Sequence, residues 1–257
     1  MTLQIKMLNK IIENKRKEIE INKKSLPLSS FENKLQNAKR DFKKALLQNK
    51  LSLIAEIKRK TPSQNIISQE LDIKEIVRVY NKYADAISVL TDKKFFDGSL
   101  IDIKTISKLS KLPVLRKDFI IDEYQIYESR LYNADAILLI ASILSKRELK
   151  IFIGIAKSLG MDCVVEVHTE KELHKVLGTN ASIIGINNRN LNTLEIDTGT
   201  TLRIADKIPK NKIIVSESGI SSRGYVKEIK GKVNAILVGA FLINSNDLEK
   251  DIRALIK

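Results

Sequence analysis

Eight short runs of apolar and β-branched residues recur along this chain, with polar–apolar stretches of helical period between them. The runs are LSLIAEIK from Leu51, AISVLTD from Ala86, PVLRKDF from Pro113, AILLIAS from Ala136, DCVVEVH from Asp162, IIGINNR from Ile183, KIIVSES from Lys212 and AILVGAF from Ala235. Stretches such as DIKEIVRVYNKY and TEKELHKVLG separate them. Strands that alternate with helices form right-handed βαβ units, whose strands are parallel. The runs start 21 to 35 residues apart, enough for one such unit each. Eight units predict a (β/α)8 TIM barrel. An open doubly wound sheet is disfavoured. Its first strand usually leads into a Gly-rich phosphate turn, and here the first run leads into KRKTPSQN, which has no Gly.

The 50 residues before the first run read as a helical extension. Ile5, Leu8, Ile12 and Ile19 fall near helical spacing. Pro27 breaks that pattern, and Ser29 or Ser30 can cap a second helix running to about Leu47. The expectation is one domain over 1–257: an N-terminal helical extension over 1–50, packed on eight βα units over 51–257. That length leaves no room in this chain for a second fused enzyme, and leaves a separate partner open.

Composition narrows the partners. Lys and Arg number 45 against 31 Asp and Glu, a net charge of +14. The charges are spread along the chain without a long basic block, and there are seven Phe, six Tyr and no Trp. Such a balance favours a small phosphorylated or carboxylated substrate over nucleic acid. The single cysteine, Cys163, excludes an intrachain disulfide and reads as a small core residue. No 18-residue apolar run predicts a membrane span, and no signal-peptide core is evident at the N-terminus. The expectation is a cytoplasmic protein, monomeric by default. No His or Cys pair has metal-ligand spacing, so neither metal nor cofactor is expected.

Barrel chemistry sits at the C-terminal ends of the strands. Polar residues collect there: Glu56 and Lys58, then Arg116, Lys117 and Asp118, then Glu166 and His168, then Asn187 and Arg189, then Ser216 to Gly219, and finally Gly239. Strand side chains alternate, so Glu56 shares a face with Lys58, and Asn187 with Arg189. If those faces point inward, Glu56, Lys58, Lys117, Glu166, Asn187 and Arg189 converge on one mouth. A charge buried there is costly unless it is paired or used. Any one of these residues reads equally well as a structural ion pair; six together point to a site. His168 lacks a partner motif and reads as structural, and His174 as a helix-surface residue. The Gly-containing loops SESGISSRG and VGAFLI follow the last two runs, where barrels bind phosphate.

Read in order, IAEIKRKTPS, ISVLTDKKFFDGSL, LPVLRKDFIIDEYQIYESR, ADAILLI, VVEVHTEKEL, GINNRNLNTLEID, SESGISS and AILVGAFLI resemble the indole-3-glycerol phosphate synthase family of tryptophan biosynthesis. The resemblance runs from about residue 25 to the C-terminus. It implies ring closure, decarboxylation and dehydration of 1-(2-carboxyphenylamino)-1-deoxyribulose 5-phosphate, with no cofactor or metal. It implies that Lys117 is the acid at the ketone oxygen, with a neighbouring cation such as Lys58 lowering its pKa. Lys58 would hold the substrate carboxylate or act as a second acid. Glu166 would stabilise the cationic intermediate and take a proton. Glu56 would assist loss of the hydroxyl or orient the lysines, and Asn187 and Arg189 would hold the hydroxyl and carboxylate side. Ser63, Ser218, Gly219 and Gly239 would bind phosphate, and Leu90, Phe96 and Phe119 would line the anthranilate ring. The N-terminal helices would serve as a lid. The chain departs from the family pattern at Thr61, where Ser is usual, and at Ala240, where Ser or Glu is common. The runner-up readings are a phosphoribosyl anthranilate isomerase, disfavoured by the Glu and Lys on the first strand, and a non-catalytic basic barrel that binds nucleic acid.

Overall fold

A computed structural model describes residues 5–48, 50–60, 72–191 and 193–256. Eight parallel strands close into a barrel in chain order. They are β1 (Ser52–Ile57), β2 (Ala86–Leu90), β3 (Val114–Lys117), β4 (Ala136–Ile140), β5 (Asp162–Val167), β6 (Ile183–Asn187), β7 (Ile213–Glu217) and β8 (Ala235–Val238). The last strand pairs with the first, Ser52 opposite Ala235 and Ala55 opposite Val238, so no sheet edge is left open. Before the barrel come α1 (Ile5–Ser25) and α2 (Phe42–Ala45). Around and beyond it lie α3 (Ile73–Tyr83), α4 (Lys93–Phe96), α5 (Leu100–Leu109), α6 (Glu123–Leu131), α7 (Lys146–Ser158), α8 (Glu170–Leu177), α9 (Gly199–Ala205), α10 (Arg223–Ile229), α11 (Ala240–Ile243) and α12 (Leu248–Ile256).

Local sequence explains where the outer helices begin. Asp72, Asp122, Ser145, Thr169 and Ser222 each accept a hydrogen bond from a first-turn N–H of the helix that follows. Asp122 with Gln125, and Ser145 with Glu148, form reciprocal capping boxes. Each cap stabilises its helix by about 1 kcal/mol.

Alternation along the strands sorts the core into two layers. Ile54, Ala86, Leu115, Leu138, Val164, Ile183, Val215 and Leu237, one from each strand, pack together in the barrel interior. Their neighbours Ala55, Ile87, Val114, Leu139, Val165, Ile184, Ile214 and Ile236 pack outward under the helices. Continuing the inward set by steps of two leads from Ile54 to Glu56, from Leu115 to Lys117, from Val164 to Glu166 and from Val215 to Glu217. The interior is therefore apolar below and charged at its C-terminal mouth.

The N-terminal extension closes both ends of the barrel. At the N-terminal end, Phe42 and Leu46, both fully buried, join the interior cluster and plug the floor. Asp41 caps α2, and the Lys43 N–H donates to Asp162 at the start of β5 over 2.8 Å. At the opposite end, α1 lies over the mouth. Its Lys15, 3% exposed, pairs with Asp92 after β2 (2.8 Å) and Asp118 after β3 (2.9 Å), and with Glu18 (2.7 Å).

The second helix expected over residues 29 to 47 is not formed. Two 3₁₀ turns, Leu28–Ser30 and Glu32–Lys34, lead instead into an extended run that ends at the short α2. Partners on the barrel wall outweigh the weak local helix preference. The Ala38 N–H donates to the Leu159 carbonyl (3.0 Å), and Arg40 pairs with Asp135 (2.8 Å) while donating to the carbonyls of Ser107, Ser110 and Asn133.

Candidate active site

A cavity of about 720 Å³ opens at the C-terminal mouth. Glu56, Lys58, Lys117, Glu166, Asn187 and Arg189 all line it, so the structure brings the six together. Leu90, Phe96, Phe119, Ser218, Gly219 and Gly239 line it as well. Ser63, and Thr61 with it, lie outside the described residues. Met7, Leu8 and Ile11 of α1 form the roof.

Two ion-paired groups face each other in the mouth. Lys58 Nζ stands 2.9 Å from Glu56 Oε1. Lys117 Nζ donates to Glu217 Oε2 at 2.7 Å and to Glu166 Oε2 at 3.1 Å. At two close approaches a side chain would displace a carboxylate. A Cβ on Gly239 would lie 2.3 Å from Glu56 Oε1, and one on Gly185 would lie 2.2 Å from Glu217 Oε1. These two positions admit the carboxylates by having no side chain.

This geometry corrects one expectation. Lys58 is engaged with Glu56, and the groups nearest to Lys117 are carboxylates. Burial alone depresses the Lys117 ammonium, but Glu166, Glu217 and Glu56 more than offset it and hold its pKa above the ordinary lysine value. One ammonium does not compensate two buried carboxylates equally. Burial drives Glu166 up, but Lys117 and His168 outweigh it and hold Glu166 well below the usual carboxylate range. Glu217 has Lys117 alone, and burial together with Glu166 pushes it up to about 7.

The remaining lining divides by chemistry. The Asn187 side-chain oxygen accepts the Arg189 N–H at 2.9 Å, and Arg189 Nη1 donates to the Leu194 carbonyl at 2.9 Å. Burial lowers the Arg189 guanidinium pKa, with Glu56 opposing. The rings of Phe96 and Phe119 stand 6.1 Å apart, tilted by 36°, and form an apolar wall near Leu90. Ser218 and Gly219 both adopt the left-handed conformation (φ 66° and 74°), which turns the loop after β7 along the cavity. Among the described residues, no group of three or more His, Cys, Asp or Glu is arranged to hold a metal ion.

The sequence places Glu217 and His168 at strand ends without assigning either a part in the site, and does not single out Lys15. Glu217 carries the inward parity of Val215, and applying the alternation to SES would have selected it over its serine neighbours. His168, two residues after Glu166, stands with Nε2 3.3 Å from Glu166 Oε1 and Nδ1 3.2 Å from Glu172. Lys15 had no local signal, because its partners come from two distant strands. Arg116 and Asp118 have outward parity: Arg116 donates to Asp118, Glu128 and Ser129 at 3.0–3.1 Å and ties β3 to α6.

Comparison with known proteins agrees with this architecture. Two solved structures match the fold: KGPDC from Streptococcus mutans (TM-score 0.60, 12% identity, 80% of this chain and 95% of that one) and the tryptophan synthase α2β2 complex from Pyrococcus furiosus (0.58, 18%, 79% and 97%). At these identities they speak for the barrel alone. Among curated relatives, the tryptophan biosynthesis protein TrpCF of Buchnera aphidicola subsp. Acyrthosiphon pisum is 44% identical over 254 residues, 99% of this chain and 56% of that protein. The chain thus spans about half the length of such relatives. The indole-3-glycerol phosphate synthase of Caldanaerobacter subterraneus subsp. tengcongensis is 47% identical over 235 residues, 91% of each chain. That of Endomicrobium trichonymphae is 47% identical over 216 residues, 83% of this chain and 84% of its own. The sequence profile described as indole-3-glycerol phosphate synthase matches residues 8–255, nearly the full barrel and most of its N-terminal extension. The chain belongs to the indole-3-glycerol phosphate synthase family.

Proposed function

We propose that this chain closes the indole ring: it converts 1-(2-carboxyphenylamino)-1-deoxyribulose 5-phosphate to indole-3-glycerol phosphate with loss of carbon dioxide and water. The observation that carries the reading is Lys117, held between Glu166 and Glu217 and facing the Lys58–Glu56 pair in one enclosed mouth. Ring closure develops negative charge on the ketone oxygen and positive charge on the ring and its nitrogen. A lysine that is fully protonated at neutral pH supplies the proton for the first. An ionised carboxylate, Glu166, stabilises the second; loss of carbon dioxide restores the benzene ring, and Glu166 then accepts the proton released when the hydroxyl leaves as water and the five-membered ring becomes aromatic.

Lys58 holds the substrate carboxylate until it leaves as carbon dioxide, and Glu56 keeps that ammonium in place. Asn187 and Arg189 orient the hydroxyl and carboxylate side. The backbone at Ser218, Gly219 and Gly239 takes the phosphate, and Leu90, Phe96 and Phe119 receive the aromatic ring. Met7, Leu8 and Ile11 of α1 exclude water above it, which favours the dehydration that ends the sequence. The same reading makes the protein a cytoplasmic monomer whose partner is its substrate; a stable dimer in sedimentation would overturn the monomer.

The test is direct. Purified protein mixed with the carboxyphenylamino-deoxyribulose phosphate develops indole fluorescence; folded protein that yields none would remove the synthase reading. Lys117→Ala is expected to lower kcat by about 10²- to 10⁴-fold while substrate still binds. Turnover close to wild type in that variant would remove Lys117 from the acid role.

A further inference from the structure

His168 extends the inward set of β5 beyond Glu166, and nothing in the proposed chemistry uses it. Its ring is fixed from outside the mouth. Thr169 caps α8 by accepting the Glu172 N–H, and Glu172 Oε2 in turn accepts the His168 backbone N–H at 2.7 Å and lies 3.2 Å from Nδ1. With Nδ1 held there, Nε2 stands 3.3 Å from Glu166 Oε1. The other oxygen of Glu166 is taken by Lys117. Lys117 thus meets one oxygen of Glu166, and His168, when protonated, forms an ion pair with the other at a distance without hydrogen-bond geometry.

Glu217 differs. Lys117 meets its Oε2, while its buried Oε1 has no cation within ion-pair distance among the described residues and occupies the space left by Gly185. Among the described residues, the ion pairs to Glu166, Glu172 and Glu217 come from two cations only, Lys117 and His168. Glu166 meets both of these cations and Glu217 only one, in a site where an uncompensated charge is costly. The other charged groups nearby bear on this pair less directly: Arg189, also in the mouth, donates to the Leu194 carbonyl and makes no ion pair with Glu166 or Glu217. Lys58 is paired with Glu56, whose charge acts on Lys117, Glu217 and Arg189. Lys175, which acts on Glu172, donates to the carbonyls of Ala141 and Leu144.

We propose that His168 is a positioning residue: clamped by Glu172, it holds Glu166 from the side opposite Lys117, so that Glu166 keeps the negative charge and Glu217 carries the proton. The two carboxylates on one lysine are thereby made unequal before substrate arrives. The consequence for turnover rests on the synthase reading; the distribution of charge in the empty site does not.

Carboxyl-¹³C glutamate labelling of the ligand-free protein reads that distribution without turnover, with Glu166 and Glu217 assigned from E166Q and E217Q. In the wild type Glu217 titrates near neutrality and Glu166 stays ionised well into acid. In His168→Gln the Glu166 midpoint rises by about one pH unit or more, and Glu172→Gln moves it the same way by less. In turnover, both variants move the acid limb of kcat upward with little change in KM. An unchanged Glu166 titration in folded H168Q, or a Glu217 that is ionised throughout in the wild type, would overturn the proposal. If H168Q does not fold, E172Q decides it by the same criterion. Inactive protein with the expected titrations would instead count against the synthase reading alone.

Discussion

One N-terminal segment closes both ends of the barrel, by opposite means. The floor is sealed by apolar contact: Phe42 and Leu46 insert among the inward strand residues, with hydrogen bonds only at the edge. The roof is held by charge: Lys15 of α1 is buried between Asp92 and Asp118, and the apolar residues beside it form the ceiling of a cavity rather than a packed core. Hydrophobic contact is non-directional and insensitive to pH. A buried ion pair fixes one geometry and depends on protonation. The closed end has the first, and the end that carries the cavity has the second.

Substitutions at the two ends should separate these properties. The largest loss of stability is expected from Phe42→Ala at the floor, about 3–5 kcal/mol in denaturant unfolding, with kcat and KM of the remaining folded protein within about twofold of wild type. A large change in KM would show that the floor and the mouth are coupled. Lys15→Met leaves the buried Asp92 without its ion-pair partner and Asp118 with Arg116 alone, and is expected to cost about 3 kcal/mol. Here KM should rise more than kcat falls, and amide exchange should quicken along α1 more than along α7. Equal exchange in the two helices would mean that Lys15 is not what holds the roof.

The pH dependence should differ in the same sense. Burial lowers the His168 pKa, but Glu166 and Glu172 outweigh it and raise it to about 10 in the folded protein. Its stabilisation is therefore fully present below its unfolded value of about 6.5, and is lost as pH rises towards 10. Glu217, pushed up by burial to about 7, weakens the fold in the same direction between about pH 4.5 and 7. His168→Gln should cost about 2 kcal/mol at pH 6 and less than half of that at pH 9, whereas the cost of Phe42→Ala should be equal at both. A pH-independent cost for His168→Gln would contradict the ionised contact. The smallest effect is expected from Asp41→Ala, which removes the cap of α2 and should lower stability by about 1 kcal/mol without touching turnover.

The barrel was legible because its signal is local and repeated. Each strand is an apolar run, and most of the later helices begin at a capping residue. Six charged or amide residues of the mouth were legible because they lie at strand ends, where alternation fixes their side. Glu217 was equally accessible to that rule and was passed over for the serines that flank it. The other misses have a different cause. Lys15 sits in ENKRKEIE, where an isolated helix would leave it in water; only the carboxylates after β2 and β3, more than 75 residues further along, bury it. Residues 35–40 had no pattern to announce that Arg40 would find Asp135. The expected coupling of Lys58 to Lys117 failed because residue spacing reports sides and not neighbours, and the neighbours of Lys117 proved to be anions.

The floor also bears on the order in which the chain is made. Phe42 and Leu46 precede every strand they plug, and Lys43 binds Asp162, which is synthesised 119 residues later. The ring around them is incomplete until β8 reaches β1. During translation this segment therefore remains without the contacts that bury it until almost the entire barrel exists. A nascent chain arrested before Ala235 should still be cut by protease near α2, and the finished chain should resist.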